Sequence, residues 1–90
     1  MRVGLVWHKK SDRREDDILS VYERPVCREI LQLRRPANSG KNCSWYVRSC
    51  LLSDSAVDEI FGKKWYYETL HGFKSVLDFR RWLGEKVDVD

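Results

Sequence analysis

The sequence predicts an α+β domain: a small, mostly antiparallel sheet of four or five strands packed against a C-terminal helix, with a short second helix between them. Three observations carry this. Short runs rich in β-branched and aromatic residues recur through the first half of the chain. A turn-forming cluster, Pro36-Ala-Asn-Ser-Gly40, separates two of them. From Phe73 onward the apolar residues recur at helical spacing.

Residues 2–8 read as a first strand, and the almost wholly charged residues 9–17 as an exposed loop. Residues 18–24 read as a second strand, ended or bent by Pro25. Residues 27–34 and 43–52 form the arms of a hairpin. Its expected register sets Glu29 opposite Arg48, Ile30 opposite Val47, Leu31 opposite Tyr46 and Cys27 opposite Cys50. This register matches an opposite-charge pair and several apolar pairs. Ser53-Asp54-Ser55 starts a short helix that ends near Gly62. Residues 63–69 read as a further strand, on the β propensity of Trp65, Tyr66, Tyr67 and Thr69. Residues 72–83 form the final helix, with Phe73, Val76, Leu77 and Leu83 on one face and Gly84 as its cap. The domain is expected to span residues 1–84, with 85–90 an acidic, frayed tail.

Ninety residues make one domain, and one this small buries only about 60–65% of its unfolded surface. A partner or a homodimer is therefore an expected source of further burial. The net charge of +3 is mild for a dedicated nucleic-acid binder. No run is long and apolar enough for a membrane span, and the N-terminal apolar run is too short for a signal peptide, so the expected location is cytoplasmic (the host cytoplasm for a viral protein). Three cysteines, an odd number, fit a reducing compartment.

Catalytic signatures are missing. His8 and His71 are the only histidines, and no nucleophile elbow or protease signature surrounds the cysteines. There is no C-x-x-C, and Cys43 and Cys50, seven apart, would point to opposite faces of a strand. The scattered glycines build no phosphate loop. The expectation is a protein that is not an enzyme and carries no metal or cofactor.

The four tryptophans suggest a binding role instead. Trp7 precedes Lys9-Lys10, Trp65 follows Lys63-Lys64, Trp82 follows Arg80-Arg81, and Trp45 follows a loop bounded by Arg34-Arg35 and Lys41. Aromatics beside cations anchor protein interfaces; they also stack bases and hold phosphates. They equally describe a small core with a charged rim. The candidate partner-binding residues are Arg34, Arg35, Lys41, Trp45 and Tyr46 around the hairpin, and Arg80 and Arg81 on the helix. The run read as a strand at Trp65–Thr69, followed by a helix ending in Arg81-Trp82-Leu83, is similar to a pattern in several small phage proteins, some anti-CRISPR inhibitors among them. It covers about a quarter of the chain and contains no functional motif, so it assigns no residue a role. The leading expectation is a non-enzymatic protein-binding module, of which one form is a phage-type inhibitor that docks on a protein or ribonucleoprotein complex and blocks it sterically. The alternative is nucleic-acid binding through the same basic loops.

Overall fold

Alternation of apolar and polar residues builds a five-stranded sheet with one face turned to the core. The computed structural model describes residues 1–8, 16–37 and 43–90. The strands β1 (Arg2–His8), β2 (Asp17–Arg24), β3 (Arg28–Arg35) and β4 (Tyr46–Ser49) form an antiparallel meander. Helices α1 (Asp54–Phe61), α2 (Trp65–Thr69) and α3 (Val76–Lys86) follow, and β5 (Asp88–Val89) returns to pair in parallel with β1. The sheet order is β4-β3-β2-β1-β5, and the fold is α+β as expected.

The register aligns Leu5, Val21, Leu31 and Ser49 across four strands, and Trp7, Leu19, Leu33 and Val47 in the next row. These rows line the inner face, on which Val57, Phe61, Trp65, Phe79, Trp82 and Leu83 of the helices complete the core. A bulge between Val21 and Tyr22 leaves Ile30 as an extra residue, and both Ile30 and Leu31 are fully buried. Ser53 caps α1 by accepting a hydrogen bond from the Ala56 N–H, and Ser75 caps α3 through the Asp78 N–H. At the other end of α1, Gly62 takes φ 86° and donates its N–H to the Asp58 carbonyl.

Several expectations are corrected. The β3–β4 register is shifted by three residues: Leu31 faces Ser49 and Arg34 faces Tyr46. Glu29 therefore does not face Arg48, whose opposite number is Gln32. Cys27 lies in the β2–β3 turn at φ 57°, and Cys50 donates its backbone N–H to the Ile30 carbonyl, so the two cysteines are not cross-strand partners. Residues 65–69 are helical, because Trp65 and Thr69, one turn apart, both face the core. The similarity to small phage proteins thereby loses its strand. The final helix starts at Val76, runs through Gly84 and ends at Lys86. The tail is not frayed: Val87 is buried, and the Asp88 and Asp90 N–H groups bond to the Met1 and Val3 carbonyls. The turn residues Asn38, Ser39 and Gly40 and the pairs Lys9-Lys10 and Arg13-Arg14 lie outside the described residues.

Gly72 joins the helical layer to the sheet. It adopts φ 74°, and a Cβ there would meet the Trp45 carbonyl oxygen at 2.5 Å and the Tyr46 ring at 3.1 Å. Gly62 has a similar φ but open space around it. Chemical denaturation should therefore rank the two alanine variants. Gly72→Ala is expected to cost roughly 2–4 kcal/mol through left-handed strain and overpacking. Gly62→Ala is expected to cost about 1 kcal/mol from strain alone.

Candidate functional site

The second face of the sheet is covered by no described helix or strand, and its side chains follow from the register. One row reads Tyr46, Arg34, Ile18, His8 from β4 to β1. The next reads Arg48, Gln32, Ser20, Val6, and a third Glu29, Tyr22, Gly4. Val6 and Tyr46 are about half exposed, at 46% and 47%. Beside Val6 a shallow cleft of about 210 Å³ is lined by Gly4, Val6, Tyr22, Arg24 and Cys27. Gly4 makes room for Arg24, whose Nε would lie 2.8 Å from a Cβ at that position.

A polar network floors this face. Ser20 is fully buried, and its Oγ lies 2.7 Å from His8 Nε2. Gln32 donates its amide to Glu29 Oε1 at 3.1 Å. Burial works against the Glu29 charge, but hydrogen bonds from Ser20, Gln32 and Cys50 outweigh it and hold the carboxyl below its ordinary pKa. Burial first, and then the hydrogen bond to Glu29, push the Cys50 thiol up to about 11. Sequence reasoning missed this cluster. His8 and Ser20 are twelve residues apart, and only the β1–β2 register brings them together. Glu29 accepts from Gln32, and among the described residues no carboxylate is hydrogen-bonded to the His8 ring, where a catalytic triad needs one.

The structure divides the candidate residues. Arg34 and Tyr46 are cross-strand neighbours on the uncovered face. Arg34 pairs with Asp16 at 3.6 Å, and its buried Nε has no acceptor among the described residues. Arg35 and Trp45 sit at the end of the inner face. The Arg35 guanidinium lies 4.4 Å from the Trp45 ring centroid and bonds Asp17 at 2.8 Å. Trp45 is only 7% exposed and packs edge-on against Trp7 at 5.7 Å. It closes the core rather than offering a stacking face. Trp65 and Trp82 are buried too, their indole N–H groups donating to Asp58 and Glu68. Arg80 and Arg81 are exposed on α3, in the layer that covers the opposite face of the sheet. Lys41 lies outside the described residues. Arg48, exposed and without a carboxylate within ion-pair reach among the described residues, joins Arg34 and Tyr46 on the face.

Two measurements test this chemistry. Iodoacetamide at mildly alkaline pH should label exposed Cys27 well before Cys50, whose thiol stays protonated; peptide mapping reads the order. Glu29 has a depressed folded-state pKa, so its contribution to stability is present above the unfolded value of about 4.3 and disappears as pH falls through the folded one. Denaturation curves of wild type and Glu29→Gln should accordingly differ at neutral pH and converge in acid.

No protein-family model matches the chain, and no curated protein or solved structure matches it either, so a functional reading stands on the geometry of these residues.

Proposed function

We propose that this protein is a non-catalytic binding module that docks the uncovered face of its sheet on an acidic protein surface and blocks that surface sterically. The observation that carries the reading is the grouping of half-exposed Tyr46 and Val6 with Arg34, Arg48 and Arg24 on one rigid face. Tyrosine and arginine dominate interface hot spots, because each brings a large contact area together with directional hydrogen bonding. The sheet supplies a platform whose backbone does not need to order on binding, which limits the entropic cost of association. The cleft beside Val6 is of a size to accept one apolar side chain from the partner.

Electrostatics favour an acidic partner. Arg48 has no carboxylate within ion-pair reach among the described residues, and the carboxylates holding Arg34 and Arg24 do so at 3.6 Å and 3.5 Å. Those distances leave donors that a partner carboxylate can approach. The acidic group nearest the centre of the face, Glu29, is turned into the polar network with Ser20 and Gln32.

The test is quantitative capture from nuclease-treated lysate, followed by affinity measurement with the recovered protein. Tyr46→Ala is expected to weaken binding roughly 30-fold, the effect of a hot spot of about 2 kcal/mol. Arg48→Glu should weaken it further at low salt, while Arg80→Glu with Arg81→Glu leaves it unchanged. Wild-type affinity in the Tyr46→Ala, Arg48→Glu double variant would remove the sheet face from the proposal.

A further inference from the structure

Among the described residues some cations are held in ion pairs and others, Arg48, Arg80 and Arg81 included, are not. On the sheet, Arg2, Arg24, Arg28, Arg34 and Arg35 each have a carboxylate within 4.0 Å. Around α2 the pattern reverses. Lys63 and Lys64 precede the helix and Lys74 follows it, all three exposed and none in an ion pair among the described residues. The one acid in this stretch, Glu68, is engaged by Lys86 at 3.0 Å and by the Trp82 indole, and these bonds, Lys86 first, hold its carboxyl below the ordinary value. Glu68 also lies within electrostatic reach of Lys64, but the three lysines are exposed and carry their charge into solvent.

The same segment exposes the aromatic residues. Burial of Trp65 and Thr69 turns Tyr66 and Tyr67 outward, at 54% and 76% exposure. Their rings meet edge to face, 6.0 Å apart at 82°, so they do not stack in parallel on one another, and Tyr67 keeps most of its surface in solvent. We propose that α2 and its flanking turns form a second binding surface, for single-stranded nucleic acid. Lysines Lys63, Lys64 and Lys74 contact phosphates, and Tyr67, with Tyr66 beside it, stacks a base.

The chemistry selects this ligand among anions. A phenol O–H can donate to a lone phosphate, but the flat ring itself gains only where a base stacks on it. A helix of five residues is too short to lay an apolar face into a lipid interface, and Leu70 is the one exposed aliphatic residue that α2 and its C-cap offer. The lysines keep long, unpinned stems, which suits a flexible polymer whose phosphates have no fixed spacing. This surface lies in the helical layer, so the inference does not rest on the docking role of the sheet.

Fluorescence anisotropy with labelled oligothymidylate and oligouridylate, across a salt series, tests it. Wild type should bind at low salt with a log–log salt slope of about −2, as about three neutralised phosphates on a single strand require. Tyr67→Ala should weaken binding about tenfold. Lys63→Gln with Lys64→Gln should weaken it comparably and flatten the slope, and Arg48→Glu should leave it unchanged. All these side chains are exposed, and circular dichroism confirms that each variant is folded. No anisotropy change at low salt overturns the proposal, as does wild-type affinity in Tyr67→Ala. Binding to phosphatidylserine-containing vesicles without binding to either oligonucleotide would reassign the surface to membranes and equally overturn it.

Discussion

The packing of Trp82 holds the two layers of this protein together. Its ring lies 5.6 Å from Phe61 of α1, 5.9 Å from Phe73 before α3 and 6.0 Å from Phe79 one turn earlier. Its indole N–H reaches Glu68 of α2. One side chain thus touches every helical segment. Phe73 passes the constraint to the sheet, because its N–H and C=O exchange hydrogen bonds with Trp45 immediately before β4. In so small a domain the margin between burial and chain entropy is narrow, and aromatic rings supply large buried area per residue. Trp45, Trp65 and Trp82 therefore serve first as core, and the indole N–H groups of Trp65 and Trp82 are satisfied by acids of neighbouring helices, while Trp7 stays about half exposed.

This accounts for what the sequence made legible and what it hid. The helix caps Ser53 and Ser75 and the apolar faces of α1 and α3 are local signals, and α1 lies within the expected bounds. The segment at Trp65–Thr69 has strand propensity, but its fate depends on contacts elsewhere. Trp65 must reach Asp58 and Glu68 must reach Trp82, and only a helical turn sends those side chains to their partners. The hairpin register failed for a related reason. Ile30 sits in a bulge, so both it and Leu31 are buried and strict alternation breaks on β3. An odd shift then exchanges the faces of β4, so that Tyr46, expected opposite Leu31, lies opposite Arg34. At the tail, acids masked the spacing of Val87 and Val89, the pair that seats β5 beside β1.

The candidate site was legible in composition but not in arrangement. Arg34 and Tyr46 belong to one surface, Arg35 and Trp45 to the edge of the core, and Arg80 and Arg81 to the helical layer. Adjacent residues on a strand point to opposite faces, so a basic pair such as Arg34-Arg35 cannot act as a unit. Each arginine instead finds its own aspartate, Asp16 or Asp17, an adjacent acidic pair split in the same way. The network of His8, Ser20, Glu29 and Gln32 comes from three strands and leaves no motif in the sequence at all.

The contrast between pinned arginines and unpinned lysines bears on how two surfaces of one small protein can differ in what they recognise. An arginine already held by a carboxylate has lost much of its side-chain entropy in folding, so a docking partner meets a preorganised donor in a defined position. Recognition of that kind rewards a rigid, shape-complementary protein surface and depends only modestly on salt. A lysine with no intramolecular carboxylate keeps its rotamer freedom and its full charge toward solvent. It attracts polyanions at long range and follows them loosely, and its contribution falls steeply as salt rises. The net charge of +3 does not express this division, which is one of local pairing rather than of total charge. In both proposals the distribution of carboxylates, rather than the net charge, sets what each surface attracts. Around α2, the engagement of Glu68 by Lys86 leaves Lys63, Lys64 and Lys74 without an ion-pair partner among the described residues.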